Sequence, residues 1–275
     1  ARRYADKVIR LEKNLGKNYA RRMGIGAANG EIVVAVDSDI VIKKDTLNRI
    51  AGYFENNRRT DALTGLFSKE HPNKDFFSQY KNLYMHYIFR KLPKRVNFLF
   101  GSICAMRRDA ANLCNSSYRY GQDTAYGQQL VSHGKNIFFL TDLEVIHLKK
   151  YNFWSLLKND FNICFYWANI FLKFKGWKQL GRNKVGFAHS PVEQLISVCL
   201  APATLLFIPL KLFILCPVLL WVALNIGFLR FLLNESGMAF ALVSTFFTFL
   251  DNIVMALGIT CGFLFGLARA KNRGE

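Results

Sequence analysis

The last third of this chain is nearly free of charge, and that limits what it can become. Three apolar runs, Leu195 to Leu210, Leu212 to Leu229 and Ala239 to Ala268, follow residue 190. The only charged residues there are Lys211, Arg230, Arg269, Lys271, Arg273, Glu193, Glu235, Asp251 and Glu275. A helix of about 20 apolar residues crosses a hydrocarbon core of about 30 Å, and the third run exceeds that length. Core helices of a soluble domain would carry a polar face, which these runs lack. Residues 191–275 therefore read as transmembrane helices, two or three in number. Pro202, Pro209, Pro217 and Lys211 interrupt 195–229 and allow either one broken crossing or a tight pair of short helices. Lys173, Lys175, Lys178, Arg182 and Lys184 precede the runs, and Arg269, Lys271 and Arg273 follow them. Basic flanks mark the cytoplasmic side, so an even number of crossings, most simply two, fits best. A multi-pass protein of the cell membrane with its larger domain in the cytoplasm is expected. Asp251 falls mid-span, where a carboxylate faces either a polar path or a structural partner.

Nearly all of the formal net charge of +18 belongs to residues 1–190. Basic groups interleaved with aromatics can bind single-stranded nucleic acid. Here they are scattered through Lys13, Lys17, Arg21-Arg22, Arg58-Arg59, Lys91 to Arg95 and Arg107-Arg108. An adjoining membrane segment explains them at lower cost, since each basic group near an anionic leaflet contributes about 1 kcal/mol. Lipid, and no nucleic acid, is the expected partner. Between the two regions, residues 151–190 link and anchor. Phe153, Leu157, Phe161, Cys164, Ala168 and Phe171 recur at steps of three and four, so 152–175 reads as an amphipathic helix. Trp154, Tyr166, Trp167 and Trp177 with nearby lysines suit the headgroup level, although packing on the neighbouring domain would use the same pattern. The six cysteines show no C-x-x-C spacing, and half of them lie in apolar runs, which supports neither a zinc site nor a disulfide framework.

Within residues 1–150, the run Ile32 to Val36 reads as a strand buried on both faces, as in a parallel sheet covered by helices. Asp37-Ser38-Asp39 follows it at the strand end, where open α/β sheets gather ligands. Side chains alternate along an extended segment, so Asp37 and Asp39 are expected to project to one side while Ser38 points away. Two hard oxygen ligands at that spacing suit Mg2+ or Mn2+ carrying a phosphate group. By itself a D-x-D pair is also a common cap or solvated loop.

A second constellation spans residues 98–148. Phe98 to Met106 reads as a strand in which Gly101 lets a ligand approach the backbone. Asp123 opens a helix through His133 that Gly134 stops. As a carboxylate at a helix start it is either a cap or a base that takes a proton from an attacking hydroxyl. Asn136 to Leu140 and Leu143 to His147 read as two further strands. His147 at the end of the second is a third metal ligand, a diphosphate contact or a structural histidine.

The stretch Asn14 to Asp39, with Ala20-Arg21-Arg22-Met23-Gly24 leading through Gly30-Glu31 to the strand and Asp37-Ser38-Asp39, resembles the central block of family 2 glycosyltransferases of the GT-A fold. Gly121-Gln122-Asp123 and Val145-Ile146-His147 resemble that family's E-D block and the segment after it. Arg22 stands where the family has Asn, Gln122 where it has Glu, and Gln129 where Arg is common. The similarity covers residues 10–150, and membrane-anchored members match the remaining architecture.

The resemblance implies a Rossmann-like, mostly parallel α/β domain over residues 1–150. Asp37 and Asp39 would hold Mg2+ or Mn2+ and the diphosphate of a nucleotide sugar, with His147 as a possible third ligand. Arg21 and Gly101 would contact the donor, and Gln122 and Asp123 the acceptor. Asp123 would be the base of an inverting transfer to a hydroxyl of a glycan or of a polyprenyl or other lipid-linked acceptor, in cell-envelope polysaccharide or glycolipid synthesis. Acceptor choice would sit in loops at 65–97 and Asn115–Tyr120. No match to the family's first strand and its P-x-Y-N-like segment occurs, so an N-terminally truncated fragment is expected. The competing reading is a non-catalytic membrane assembly subunit or a degenerate remnant that keeps the fold.

Overall fold

Ile32–Val36 does form a strand, but one at a sheet edge, and this decides how the neighbouring residues are arranged. In the computed structural model, which describes residues 5–114, 120–178, 185–207, 209 and 215–271, two compact units form. In chain order the first elements are α1 (Lys17–Ala27), β1 (Ile32–Val36), β2 (Ile40–Val41), α2 (Thr46–Asn56), β3 (Ala62–Phe67), α3 (Phe76–Phe89), β4 (Arg95–Val96) and β5 (Ile103–Arg107). There follow α4 (Arg108–Leu113), α5 (Gln122–Ser132), β6 (Ile137–His147), α6 (Phe153–Lys173), β7 (Val185–Phe187), β8 (Ser190–Pro191), α7 (Val192–Leu206) and α8 (Leu215–Lys271).

The first unit holds the chain up to Ser38, Lys44–Gly65 and Arg95–Leu143. Its β1 runs antiparallel to β5, with Val34 opposite Ala105, and β5 runs antiparallel to β3, with Leu63 opposite Ala105. The start of β3 accepts no reversal from β6: the N–H groups of Asp61 and Ala62 both donate to Asn136 O, and Ser68 N–H donates to Val145 O further along, so these two strands run in the same direction. The α/β class is as expected, while the sheet is mixed in direction rather than mostly parallel. As the terminal strand in the order β1-β5-β3-β6-β2, β1 leaves Val36 40% exposed, so it is not buried on both faces.

Two other local expectations change. Phe98–Ser102 is a turn in which Ile103 N–H donates to Phe100 O, and the strand starts only at Ile103. The segments 136–140 and 143–147 are one continuous strand, β6. In contrast, α5 ends at Ser132 with Gly134 in the left-handed region at φ 74°, in agreement with the stop signal.

The second unit holds Asp39–Lys43, Leu66–Lys94 and the chain from Glu144 onward. The region 65–97, expected as a loop, contains a helix: Phe76 to Phe89 buries most of its length, and Asp75 caps it by accepting from Ser78 N–H at 3.0 Å. Its aromatics decide the matter. Tyr80 lies 4.8 Å from Phe247 and Tyr84 5.4 Å from Phe228, ring centre to ring centre, so the aromatic content serves packing. Asn152 and Ser155 form a reciprocal capping box at the start of α6. The helix expected over 152–175 thus spans Phe153–Lys173, with Leu157, Cys164 and Ala168 of the expected face buried and Phe153, Phe161 and Phe171 only partly so.

Among the described residues, the stretch Leu215–Arg269 of α8 is the one helix long and apolar enough to cross a membrane. It is broken at Gly237, whose φ of 81° and ψ of 175° no helix contains. The arms before and after it, about 33 Å and about 51 Å long at 1.5 Å per residue, fold back on one another. Trp221 and Phe249 stack edge to face at 5.1 Å, and Asn225 and Asn252 both donate to Ser197 Oγ on α7. Outward-facing Phe246 and Leu264 remain 78% and 64% exposed.

Gly258, Gly262 and Gly266, one turn apart on the second arm, let α6 approach closely. A Cβ at Gly262 would sit 2.3 Å from Phe165 O and 2.9 Å from Ala168 Cβ. Gly262→Leu should therefore overpack this contact and destabilise the fold by about 1–3 kcal/mol. A thermal or denaturant midpoint of the detergent-solubilised protein equal to wild type would contradict the packing described.

Candidate active site

In the first unit the sequence brings together residues that lie far apart along the chain. Arg21, one helical turn after Lys17 on α1, has a side chain only 10% exposed. Its guanidinium donates to Asp37 Oδ1 at 2.9 Å and to the Gly101 carbonyl at 2.8 Å. The backbone joins the same two loops, since Asp37 N–H donates to Ser102 O. Gly101 N–H in turn donates to Asp123 Oδ2 at 3.3 Å, and Thr124 N–H to Asp123 Oδ1 at 2.9 Å. Asp123 is therefore a first-turn acid of α5, held by amides on both sides. Gly121, in the left-handed region at φ 68°, turns the chain into that helix.

The geometry around Gly101 is close. A Cβ there would lie 3.1 Å from Asp123 Oδ2 and 3.6 Å from Lys17 Nζ. Absence of a side chain keeps the space between Asp123 and the Asp37 ion pair open. Beside it, a cleft of about 480 Å³ runs along β1, walled by Lys17, Arg21, Gly24, Val34, Asp37 and Ser38. Burial opposes the charge on Arg21, but Cys104, Asp37 and Asp123 outweigh it and hold the guanidinium above its ordinary pKa. Arg21 thus stays a cation and acts on Asp37 and the Gly101 carbonyl. Gln122 is buried at the start of α5.

Asp39 lies beyond the end of the strand expected to carry it. The strand ends at Val36, and Ser38 and Asp39 form a turn, so the alternation of an extended segment does not continue through them. Asp39 belongs to the second unit, at the entry to β2, and its carbonyl accepts from Leu148 N–H. There Asp39 Oδ2 lies 3.5 Å from His147 Nε2. The His147 ring stacks on Phe67 at 4.3 Å and meets His71 edge-on at 6.3 Å. Burial drives its pKa down to about 4 against the opposing pull of Asp39, with Lys149 and His71 adding to the fall.

Among the described residues, no group of three or more His, Cys, Asp and Glu side chains stands ready to hold a metal. The pair Asp39 and His147 nevertheless has the donor chemistry for a divalent cation. Its imidazole is neutral at physiological pH, as a ligand must be, and such ions take one or two protein ligands and fill the rest of their shell with phosphate and water. Asp37 is occupied by Arg21 and, at 3.6 Å, by Lys17.

Sequence reasoning missed Lys17, which shares with Arg21 the i, i+4 face of the helix preceding Asp37. It also missed His71 and Asn18, whose Oδ1 accepts from Tyr126 OH at 3.1 Å. The i, i+4 spacing of two cations ahead of the acidic turn was the available signal. The Asn115–Tyr120 segment falls, apart from Tyr120, outside the described residues.

Residues 1–113 match the family model described as glycosyl transferase family 2. Two solved structures are similar to this chain in fold. One is the mannosyltransferase PcManGT from Pyrobaculum calidifontis in complex with GDP-Man and Mn2+, at 14% identity and a TM-score of 0.46, covering 98% of this chain and 70% of that one. The other is GalNAc-T7 with UDP, GalNAc and Mn2+, at 15% identity and a TM-score of 0.41, covering 69% and 42%. No curated protein matches this chain in sequence.

Two predictions rest on this geometry. Arg21→Met leaves the Asp37 carboxylate and the Gly101 carbonyl without their donor and should cost about 1.5–3 kcal/mol of stability, read as a lowered denaturant midpoint; an unchanged midpoint would contradict the bridge. The second concerns acid. His147 titrates near 6.5 when unfolded and at about 4 when folded, and burial also lowers His86. Between those values the unfolded chain binds more protons than the folded one, so stability rises with pH there. The contribution is complete above about pH 6.5 and is lost as pH falls toward 4. His147→Gln should flatten this part of the midpoint-versus-pH curve; a slope identical to wild type would remove His147 as its source.

Proposed function

We propose that this chain transfers a sugar, with inversion, from a nucleotide-diphosphate donor to a hydroxyl or lipid-linked acceptor at a membrane surface. The observation that carries the reading is the convergence of Arg21, Asp37, Gly101 and Asp123 around one open space in the first unit. Residues 1–150 act as the catalytic domain, 151–190 as an interfacial link, and 191–275 as the membrane part. The exposed apolar face of α8, which includes Leu219, Phe246 and Leu264, supports the last assignment. Polysaccharide or glycolipid synthesis at the cell envelope, with the catalytic domain in the cytoplasm, is the matching role.

Asp123 takes the proton from the acceptor hydroxyl as that oxygen attacks the anomeric carbon. Its two amide contacts fix the carboxylate toward Gly101 and spare a reorganisation during the step. Arg21 keeps Asp37 oriented, and Gly101 leaves room for the donor. Asp39 and His147 are the residues that would hold Mg2+ or Mn2+; when bound, the ion would neutralise charge on the departing diphosphate as a Lewis acid.

The test is sugar transfer in membranes containing the full chain, supplied with a panel of nucleotide sugars and either cation. Asp123→Asn should lower kcat by about 10²–10⁴-fold while donor KM stays within about twofold. Transfer that survives this substitution unchanged would dismiss Asp123 as the base.

A further inference from the structure

We propose that Lys17 is the cation that reads the donor's diphosphate, exchanging Asp37 for a phosphate oxygen when the nucleotide sugar binds; the inference rests on the function proposed above. Asp37 has two basic partners of unlike character. Arg21 is 10% exposed and holds Oδ1 at 2.9 Å, with its other bond anchored on the Gly101 carbonyl. Lys17 is 49% exposed and stands 3.6 Å from Oδ2, longer than a good charge-assisted hydrogen bond. The first pair is therefore a fixed strut. The second is a loose contact on a flexible stem, held to the site by charge alone.

Position gives that looseness a use. Lys17 Nζ borders the cleft along β1 and lies 3.6 Å from where a side chain on Gly101 would begin, with the Asp123 carboxylate on the other side of the same point. A diphosphate placed beside Asp37 brings more negative charge than the carboxylate and three or more acceptor oxygens. An ammonium with three rotatable donors turns to such a group without disturbing the backbone. Asp37 remains neutralised by Arg21 after Lys17 leaves, so the exchange strands no charge.

In the transfer itself, a bond forms between the acceptor oxygen and the anomeric carbon as the bond from that carbon to the phosphate oxygen breaks. The acceptor proton goes to Asp123. The electron pair of the broken bond stays on the phosphate oxygen, to which Lys17 donates a hydrogen bond. Lys17 thereby acts on both donor affinity and the departing group, and it touches neither the base nor the sugar.

The experiment compares wild type, Lys17→Met and Lys17→Arg in membranes holding the full chain. UDP- and GDP-sugars serve as donors, UDP and GDP as inhibitors, and uridine and guanosine as phosphate-free controls. Lys17→Met should raise the donor KM and weaken inhibition by the nucleoside diphosphate about tenfold or more, the range of one charged hydrogen bond. It should leave nucleoside competition and Tm as in wild type, and Lys17→Arg should recover most of the loss. Diphosphate inhibition equal to wild type, or an activity loss that tracks a lowered Tm and that arginine does not rescue, overturns the role of Lys17. Wild-type membranes that transfer from no donor overturn instead the function on which it rests, and direct binding of UDP and GDP to the three proteins then still decides whether Lys17 holds the diphosphate.

Discussion

The Arg21 guanidinium is the fixed point of the candidate site. One nitrogen serves a carboxylate at the end of β1 and a carbonyl in the turn before β5, and those two loops are what position Asp123 through Gly101. A lysine in its place would be a single rotating charge, unable to hold two acceptors at set directions. Burial makes the arrangement stiff, because a guanidinium withdrawn from water must keep its partners. The open space around Gly101 therefore has rigid walls on the side of Asp37 and Asp123, and a movable one at Lys17.

The second unit meets a comparable demand by different means. Lys81 and Asp160 form an ion pair at 2.7 Å with side chains 9% and 1% exposed, inside a helical layer otherwise built from aromatic and aliphatic contacts. Removing one partner of such a pair costs about 3–5 kcal/mol, although replacing both with apolar residues can cost nothing. The pair ties α3 to α6. The Gly258, Gly262 and Gly266 seam then sets how near α6 lies to the second arm of α8, and Lys69 pairs with Glu235 close to the break at Gly237.

Legibility from sequence followed the range of the interactions. Local signals succeeded: the strand at 32–36, the helical span of α6, the glycine stop after α5 and the apolar length of α8 each depend on residues within a turn or two. Failures came where a distant partner decides. Nothing in Ile32 to Val36 says that β1 will lie at an edge beside β5, or that a turn at Ser38 and Asp39 will end the alternation of the strand. The aromatic region 65–97 looked like a binding loop because its composition suits sugars; its partners, Phe228 and Phe247, lie more than a hundred residues away. His147 could be placed at a strand end, but its pairing with Asp39 and stacking on Phe67 required the register of β2 on β6.

That register has a consequence for how this strand can vary. In β6, residues 137, 139, 143, 145 and 147 are the buried set, so the imidazole belongs to the same alternate row as the core side chains. Insertion or deletion of a single residue within this strand would turn outward the part of the row beyond it, and with the earlier part held in place would carry His147 away from Asp39. Natural length variation should thus be confined to the connections outside the strand, and 137–147 should behave in evolution as an indivisible ruler on which point changes accumulate while its length stays constant.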